Sequence, residues 1–484
     1  MTTKDNLATH CTSLPLGELS NVFLDAMAVT RRLGIQYIWI DSLCIIQDSS
    51  EDWEAESGRM ADIYSNAFVT VSAALSGDDD VGLFAPRDES LRRPCRVDLN
   101  RPLDAGPDTT RETVRIWSET DLGSLNLAYL YPLYTRAWVF QEQTLSRRIL
   151  HFTRAGVHWE CLFSNHAESE PLRHREWKDA PVKFSGRHQP PGNSGLPALD
   201  TTVTDAARGQ WLELVETYSG RDITFDSDRL PAMSGIAKAY KSWLGDKWTS
   251  NQDYVAGVWV PNIFPSLTWY PNRSRLRWRR KRHDNPHMYV APSWSWASIN
   301  GPVSFFFRHR GDSWRHSDSL TSESTWHGDT TPLCTLLDAR SVPRNADLDP
   351  TGWIQSGRIV VLGPVCESPF TFASMLDDKT AVHGVGLLPV RRDDATNTPV
   401  IMAKAPYFEL DVRPINRNET PATHLSLLRV YQQFALILER TCIASGHGLN
   451  TYRRVGWCSV GPFHTGTPLV QPEVFEREEV VIII

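Results

Sequence analysis

The sequence predicts an α/β N-terminal domain built on a parallel sheet, followed by a mixed α+β C-terminal region. Three observations carry that expectation. The run Tyr37-Ile38-Trp39-Ile40 is bulky and apolar and ends abruptly in Asp41, as a buried parallel strand does when it delivers a polar group to the edge of its sheet. Helical and strand-like patterns alternate between Leu19 and Ala73. Beyond Tyr254 the pattern turns to short strands and loops rich in tryptophan.

Taken in order, Leu19, Val22, Phe23, Ala26 and Leu33 mark one face of a first helix, with Gly34 placed to end it. The strand to Ile40 follows at once. Ser49-Ser50-Glu51-Asp52 offers a hydroxyl with a carboxylate three residues on, which satisfies free amides at a helix start. Trp53, Met60, Ile63, Tyr64 and Ala67 continue that helix's buried face. The β-rich stretch Phe68 to Ala73 then closes a βαβ unit that begins at Tyr37. From Gly77 to about Pro107 the chain reads as loop. A third helix is expected over about Leu133–Leu145, with Trp138, Gln141, Glu142 and Leu145 on one face. Arg148–Phe152 and Val157–Cys161 read as two strands joined by a glycine turn.

These patterns predict a first domain over residues 1–165, a linker or long loop over 166–203, and a C-terminal region over 204–484. Residues 205–243 read as mostly helical, broken at Gly220 and Pro231. The alternation Trp294-Ser295-Trp296 fits a strand with one packed and one polar face. Short strands such as Arg358–Leu362 follow, and Val480–Ile484 is placed to complete a sheet.

With 484 residues, 41% hydrophobic and 22% charged, the chain has room for two or three domains. The net charge of −7 argues against a general affinity for nucleic acid, which needs a basic excess to displace counterions. The most basic run, Arg273 to Arg282, reads as a solvated loop or an anion-binding patch. The eight cysteines are widely spaced, with no paired metal-ligand spacing, so no metal is expected. Their dispersal, the polar N-terminus and the lack of a long apolar run predict a soluble cytoplasmic protein without a membrane span.

Two acids stand out chemically. Ligands of open α/β sheets bind beyond the carboxyl ends of strands, which is where Asp41 is expected, although taken alone its pattern is better read as a turn cap. Ser42, Cys44 and Gln47 follow and can line a polar pocket. Cys44 lies between Leu43 and Ile45 and reads as a buried, inert thiol. Glu142 lies four residues after Trp138, so both project from one helical face. An indole there is expected to face the core and draw Glu142 inward. A buried carboxylate is costly unless paired or given a task. Arg136, Arg147 and Arg148 are available to pair with it structurally. No Ser/His/Asp arrangement, phosphate loop or dinucleotide fingerprint is present.

The segment Tyr37-Ile38-Trp39-Ile40-Asp41-Ser42-Leu43-Cys44-Ile45-Ile46-Gln47-Asp48 resembles the central motif of the fungal heterokaryon-incompatibility (HET) domain. The order that follows is similar too: Asp52-Trp53, Met60 with Asp62-Ile63-Tyr64-Ser65-Asn66-Ala67, then Arg136-Ala137-Trp138-Val139-Phe140-Gln141-Glu142. Ser219-Gly220-Arg221, Asp228-Arg229-Leu230, Gly257-Val258-Trp259 and Tyr289 through Ser298 resemble regions that commonly follow such a domain, and Tyr452 to Gly456 does so weakly.

This resemblance implies non-self recognition and programmed cell death, protein partners or self-association through the HET domain, and a TIR-like, flavodoxin-like parallel sheet. Some TIR domains cleave NAD with a helix-borne glutamate near a tryptophan. By that likeness Glu142 is the candidate catalytic residue, with Asp41, Ser42, Gln47, Trp138 and Arg136 binding substrate. NAD enters as substrate and no cofactor is implied. A non-enzymatic interaction module and an inactive paralogue remain as alternatives. HET domains usually begin with a strand carrying Ser-Tyr-x-Trp-Gly, which is not found before Asp41. The resemblance thus implies that the chain starts late and that its sheet lacks a strand.

Overall fold

A computed structural model describes residues 1–75, 81–84, 95–99, 112–116, 131–154, 156–162, 164–168, 201–244, 253–272, 289–310, 313–316, 331–371, 386–387, 391–392, 399–400, 404–405, 408–410, 424–432, 434–441, 450–460, 475 and 477–484. The chain divides into two compact units. The first holds Met1–Gln189 with Gly235–Trp243, and the second holds Pro190–Ser234 with Leu244–Ile484. The basic run from Arg273 to Arg282 and most of the expected 166–203 linker lie outside the described residues.

In the first unit the helices are α1 (Leu7–Thr12), α2 (Asn21–Arg32), α3 (Asp41–Cys44), α4 (Ser50–Asn66) and α5 (Ala137–Leu145). The strands are β1 (Thr70–Ala73), β2 (Cys95–Leu99), β3 (Glu112–Ile116), β4 (Arg148–Thr153), β5 (Gly156–Cys161) and β6 (Asn165–Ala167). Gly34, at φ 73°, follows α2 as expected, because only glycine adopts that backbone without cost. Ser49 caps α4 by accepting from the Asp52 amide at 3.4 Å. The Asp52 carboxylate reaches back to the Ile46 amide at 2.7 Å.

The main sheet of this unit runs β1-β4-β5-β6. Only β1 and β4 are parallel, while β4–β5 and β5–β6 are antiparallel. Alternation sends Val71, Ala73, Leu150, Phe152 and Val157 into a cluster with Ala26, Val22 and Val29 of α2. The opposite face of the same strands carries a polar chain. Ser72 Oγ and Tyr134 Oη lie 2.7 Å apart, Tyr134 Oη meets His151 Nδ1, and His151 Nε2 meets Glu160 Oε2 at 2.7 Å. All four residues are buried. Burying these groups is tolerable because each has a partner. Tyr134 belongs to the 3-10 turn Pro132–Thr135 that leads into α5, so the chain ties that turn to the sheet.

Several expectations are corrected here. Residues 35–40 belong to no strand, so the βαβ unit expected from Tyr37 lacks its first member. Ile38 does pack into the α2 cluster, and Trp39 meets Tyr64 edge-on at 5.7 Å, so the segment has the two-sided burial of a strand without its ladder. Tyr37 is 86% exposed. Periodicity reports burial, and a strand also needs a neighbour for its backbone groups. The third helix starts at Ala137 rather than near Leu133, because Arg136 is extended (φ −76°, ψ 136°).

The second unit contains α6 (Thr201–Ser219) and the first turn of α7 (Pro231–Leu244), which match the expected breaks at Gly220 and Pro231. Its seven-stranded sheet includes Thr335–Pro343, Ile354–Thr371, His424–Tyr431, Phe434–Arg440 and Thr451–Ser459. Arg477–Ile483 completes it by pairing with Ile354–Thr371 and Thr451–Ser459, as the terminal apolar run predicted. Leu425, Leu427, Ala435, Ile437 and Val455 form part of its buried core.

The Trp294-Ser295-Trp296 stretch is not a strand. Both indoles and Ser295 are buried, Trp296–Ser298 is a 3-10 turn, and Ser295 Oγ donates to the Ala256 carbonyl at 2.6 Å. The indoles of Trp211 and Trp296 both donate to the Gly257 carbonyl, at 3.2 and 2.8 Å. Arg454, also buried, lies 3.7 Å from the Trp269 ring centre and donates to the carbonyls of Leu267 and Trp269.

Two outcomes follow from this packing. Gly257 sits at φ 88°, and a Cβ there would lie 2.8 Å from the Trp296 indole nitrogen. Gly257→Ala should destabilise the second unit by about 2 kcal/mol or more, read as a lower unfolding midpoint. In the first unit His158 is 3% exposed, and no described group hydrogen-bonds its Nε2. Burial first, then the neighbouring His151, lowers its pKa to about 4, against a smaller opposing pull from Glu168. The unfolded chain therefore binds this proton more readily than the folded one, so stability is whole above about pH 6.5 and falls as the pH drops toward 4. The loss should approach roughly 3 kcal/mol, and His158→Gln should remove that component in urea titrations at pH 7 and 4.5.

Candidate functional site

Seven of the nine residues of α5 are buried: Ala137, Val139, Phe140, Gln141, Gln143, Thr144 and Leu145. Trp138 and Glu142 are the two that remain half-open. Their spacing of four puts them on one face, so the helix is fixed on every other side and opens only there. This corrects the expectation of a core-facing indole. Trp138 instead meets Trp53 of α4 edge-on, with ring centres 5.8 Å apart.

The opposite side of α5 shows how tightly it is held. Gln141 Oε1 accepts from the Gly235 amide at 2.9 Å, inside the same unit. A Cβ at 235 would stand 2.6 Å from the Ala61 side chain, so glycine is required for this approach of the chain to α4. At the end of α5, Ser146 Oγ donates to the Glu142 carbonyl at 2.7 Å and pairs with Thr70 Oγ1 on β1 at 2.6 Å.

Tyr64 of α4 gathers the rest. Its phenol lies within electrostatic reach of Glu142, Asp41 and Arg136. Burial chiefly, then the charges of Glu142 and Asp41, push the Tyr64 phenol well above its usual range, and Arg136 opposes them. Tyr64 thus stays protonated as a donor. Asp41, from the turn after residue 40, and Arg136 and Glu142, at the two ends of one helical segment, all act electrostatically on this one hydroxyl. The sequence pattern places Tyr64 on the buried face of α4 and does not show its polar tip. An amphipathic residue on a helix that packs against an acid-bearing helix was the signal available.

The remaining candidates lie nearby in the chain but play local parts. Asp41 opens the short helix α3 and accepts from the Ser42 amide at 2.7 Å, the turn-capping role that the sequence also allowed. The Ser42 carbonyl accepts from the Thr2 amide at 2.9 Å, and its hydroxyl oxygen has no hydrogen-bond partner among the described residues. Gln47 Nε2 donates to the carbonyls of Asp41 and Ile45 at 3.2 and 3.0 Å, closing the turn. Cys44 is exposed, not buried as expected. It lines an apolar cavity of about 190 Å³ with Thr2, Leu7, Ile38, Ile40 and Leu43, and neither Asp41 nor Glu142 borders that cavity. Among the described residues no cluster of His, Cys, Asp or Glu is able to hold a metal ion. No helix among them is long and apolar enough to cross a membrane.

The family model described as heterokaryon incompatibility protein (HET) matches residues 2–142. The chain carries a HET domain. The match ends on Glu142 and includes the Tyr37–Asp48 run, Tyr64 and the Arg136–Glu142 segment. The motifs beyond Ser219 that resembled regions following such domains lie outside it. No curated protein and no solved structure matches the chain.

Chemically, a carboxylate and two indoles stand at the open face of this helix, with Asp41, Arg136 and the Tyr64 phenol in electrostatic reach of one another. Such a set is able to hold sugar hydroxyls and to stabilise a developing positive charge.

Proposed function

We propose that this protein acts in heterokaryon incompatibility and cell-death signalling, and that its HET domain cleaves NAD at the nicotinamide–ribose bond. The family match supports the signalling context. The observation that supports the catalytic reading is that Glu142 and Trp138 are the two side chains left open on one face of an otherwise buried helix.

In this mechanism Glu142 stands next to the ribosyl carbon. The C–N bond breaks with its electron pair passing to the pyridinium nitrogen, which becomes neutral nicotinamide. The ribosyl cation left behind is stabilised by the Glu142 charge. Water adds to that carbon and gives up a proton, yielding ADP-ribose. Trp138 offers a flat face for the departing ring, and Asp41 and Gln47, both exposed, are the partners assigned to the ribose hydroxyls, whereas the Ser42 hydroxyl is buried. Arg136 answers the diphosphate.

A second reading is a protein-interaction module. The exposed Tyr37 and the strand-like residues 35–40, which belong to no strand, favour it, since such backbone is a template for a partner's strand. Incubation of purified protein with NAD separates the two. Release of nicotinamide that Glu142→Gln lowers by about a hundredfold or more, in a protein of unchanged circular dichroism, is the expected result. Intact NAD with folded wild-type protein contradicts catalysis and leaves the interaction role.

A further inference from the structure

We propose that the apolar cavity beside the Tyr37–Asp48 run is a capture site for small α,β-unsaturated carbonyl compounds, with Cys44 as the nucleophile and His10 as the acceptor of its proton. The site is separate from Glu142, which does not border the cavity. Its walls come from Leu7 of α1, Leu14 just beyond it, Met27 of α2, and Ile38 and Ile40 of the run that belongs to no strand. All five are half-buried, so an apolar chain laid against them removes their remaining surface from water. An apolar cavity of about 150 Å³ takes a benzene ring, so one of about 190 Å³ suits a chain of roughly six to eight carbons.

Cys44 and Cys11, both exposed, line this cavity together with His10. Thr2 fixes the tautomer of that histidine. Its hydroxyl has one proton, which it donates to the Leu43 carbonyl at 2.7 Å. The 2.9 Å contact with His10 Nδ1 is therefore a bond that Nδ1–H donates, which leaves the lone pair of the neutral ring on Nε2. The same chain of bonds ties the imidazole to the peptide that carries Cys44, since the Leu43 carbonyl is joined to the Cys44 nitrogen. Cys11 follows His10 on α1, where neighbours in sequence do not face each other. Two thiols and an imidazole also suit a soft metal ion, yet among the described residues no such cluster is able to hold one. The capture step needs no oxidant and no leaving group. The Cys44 thiol gives its proton to His10 Nε2 as Sγ bonds to the β-carbon. The electron pair of the C=C bond passes to the carbonyl as an enolate, whose α-carbon then takes the proton back from His10.

The test is incubation of the full chain with trans-2-hexenal, with adducts read by intact mass and located by peptide mapping. Cys44 should take up one hexenal at least about tenfold faster than glutathione does at the same pH. Acrolein, which has the same reacting group and no tail, should lose most of that advantage. Excess 1-hexanol, which has the chain without the reacting group, should slow hexenal capture. Cys44→Ser should abolish the adduct, and His10→Gln should slow its formation about tenfold or more. Capture no faster than by glutathione, an equal advantage for acrolein, or an adduct chiefly on another cysteine overturns the proposal, and these readings need no variant to fold. An unchanged rate in folded His10→Gln overturns the part given to His10. Cleavage of NAD, or its absence, bears on neither result.

Discussion

The burial of α5 on all but one face is the constraint from which the first unit is organised. Seven of nine side chains are out of water, so the helix has one place and one rotation available. Gln141 and the glycine at 235 secure its far side, Ser146 ties its end to β1, and Tyr134 ties the turn before it to the sheet. What remains open is the pair Trp138 and Glu142. A loop could not fix the direction of a carboxylate with the same economy of motion.

Polar groups do much of this fastening. The Ser72–Tyr134–His151–Glu160 chain lies in the sheet face turned toward α5, where an apolar layer would be the simpler choice. Partnered polar groups are directional, so they set register and orientation where apolar contacts tolerate slippage. The same layer brings a penalty, since the burial of His158, and then His151 beside it, makes acid conditions unfavourable to folding. In the second unit the tryptophans play the corresponding part. Trp211 and Trp296 converge on one glycine carbonyl, and Arg454 is held between the Trp269 ring and backbone carbonyls.

Legibility in the sequence followed local chemistry closely. Helix limits marked by Gly34, Ser49, Gly220 and Pro231 were readable because caps and breakers act over a few residues. The strands at 148–161 and at the C-terminal end were readable from their β-rich runs. The Tyr37–Ile40 run misled, because its burial pattern is that of a strand while pairing depends on what lies alongside. Trp138 misled in the other direction: a bulky residue was expected inside, yet on this helix the smaller residues and glutamines fill the interior. Cys44 was likewise placed inside by its apolar neighbours and stands outside. At the site, Glu142, Trp138, Arg136 and Asp41 were visible as candidates by spacing and by resemblance. The polar part of Tyr64 was not, since the electrostatic interaction that gives it meaning joins groups on separate helices.

The central claim is that Glu142 is presented by a helix that does not move, beside a strand-like segment that no ladder restrains. Amide hydrogen exchange read by mass spectrometry tests both halves at once. The account predicts that peptides covering residues 139–145 exchange only over hours, as the core strands do, while amides of residues 36–40 exchange within seconds. Rapid exchange across 139–145, or strong protection across 36–40, would contradict it.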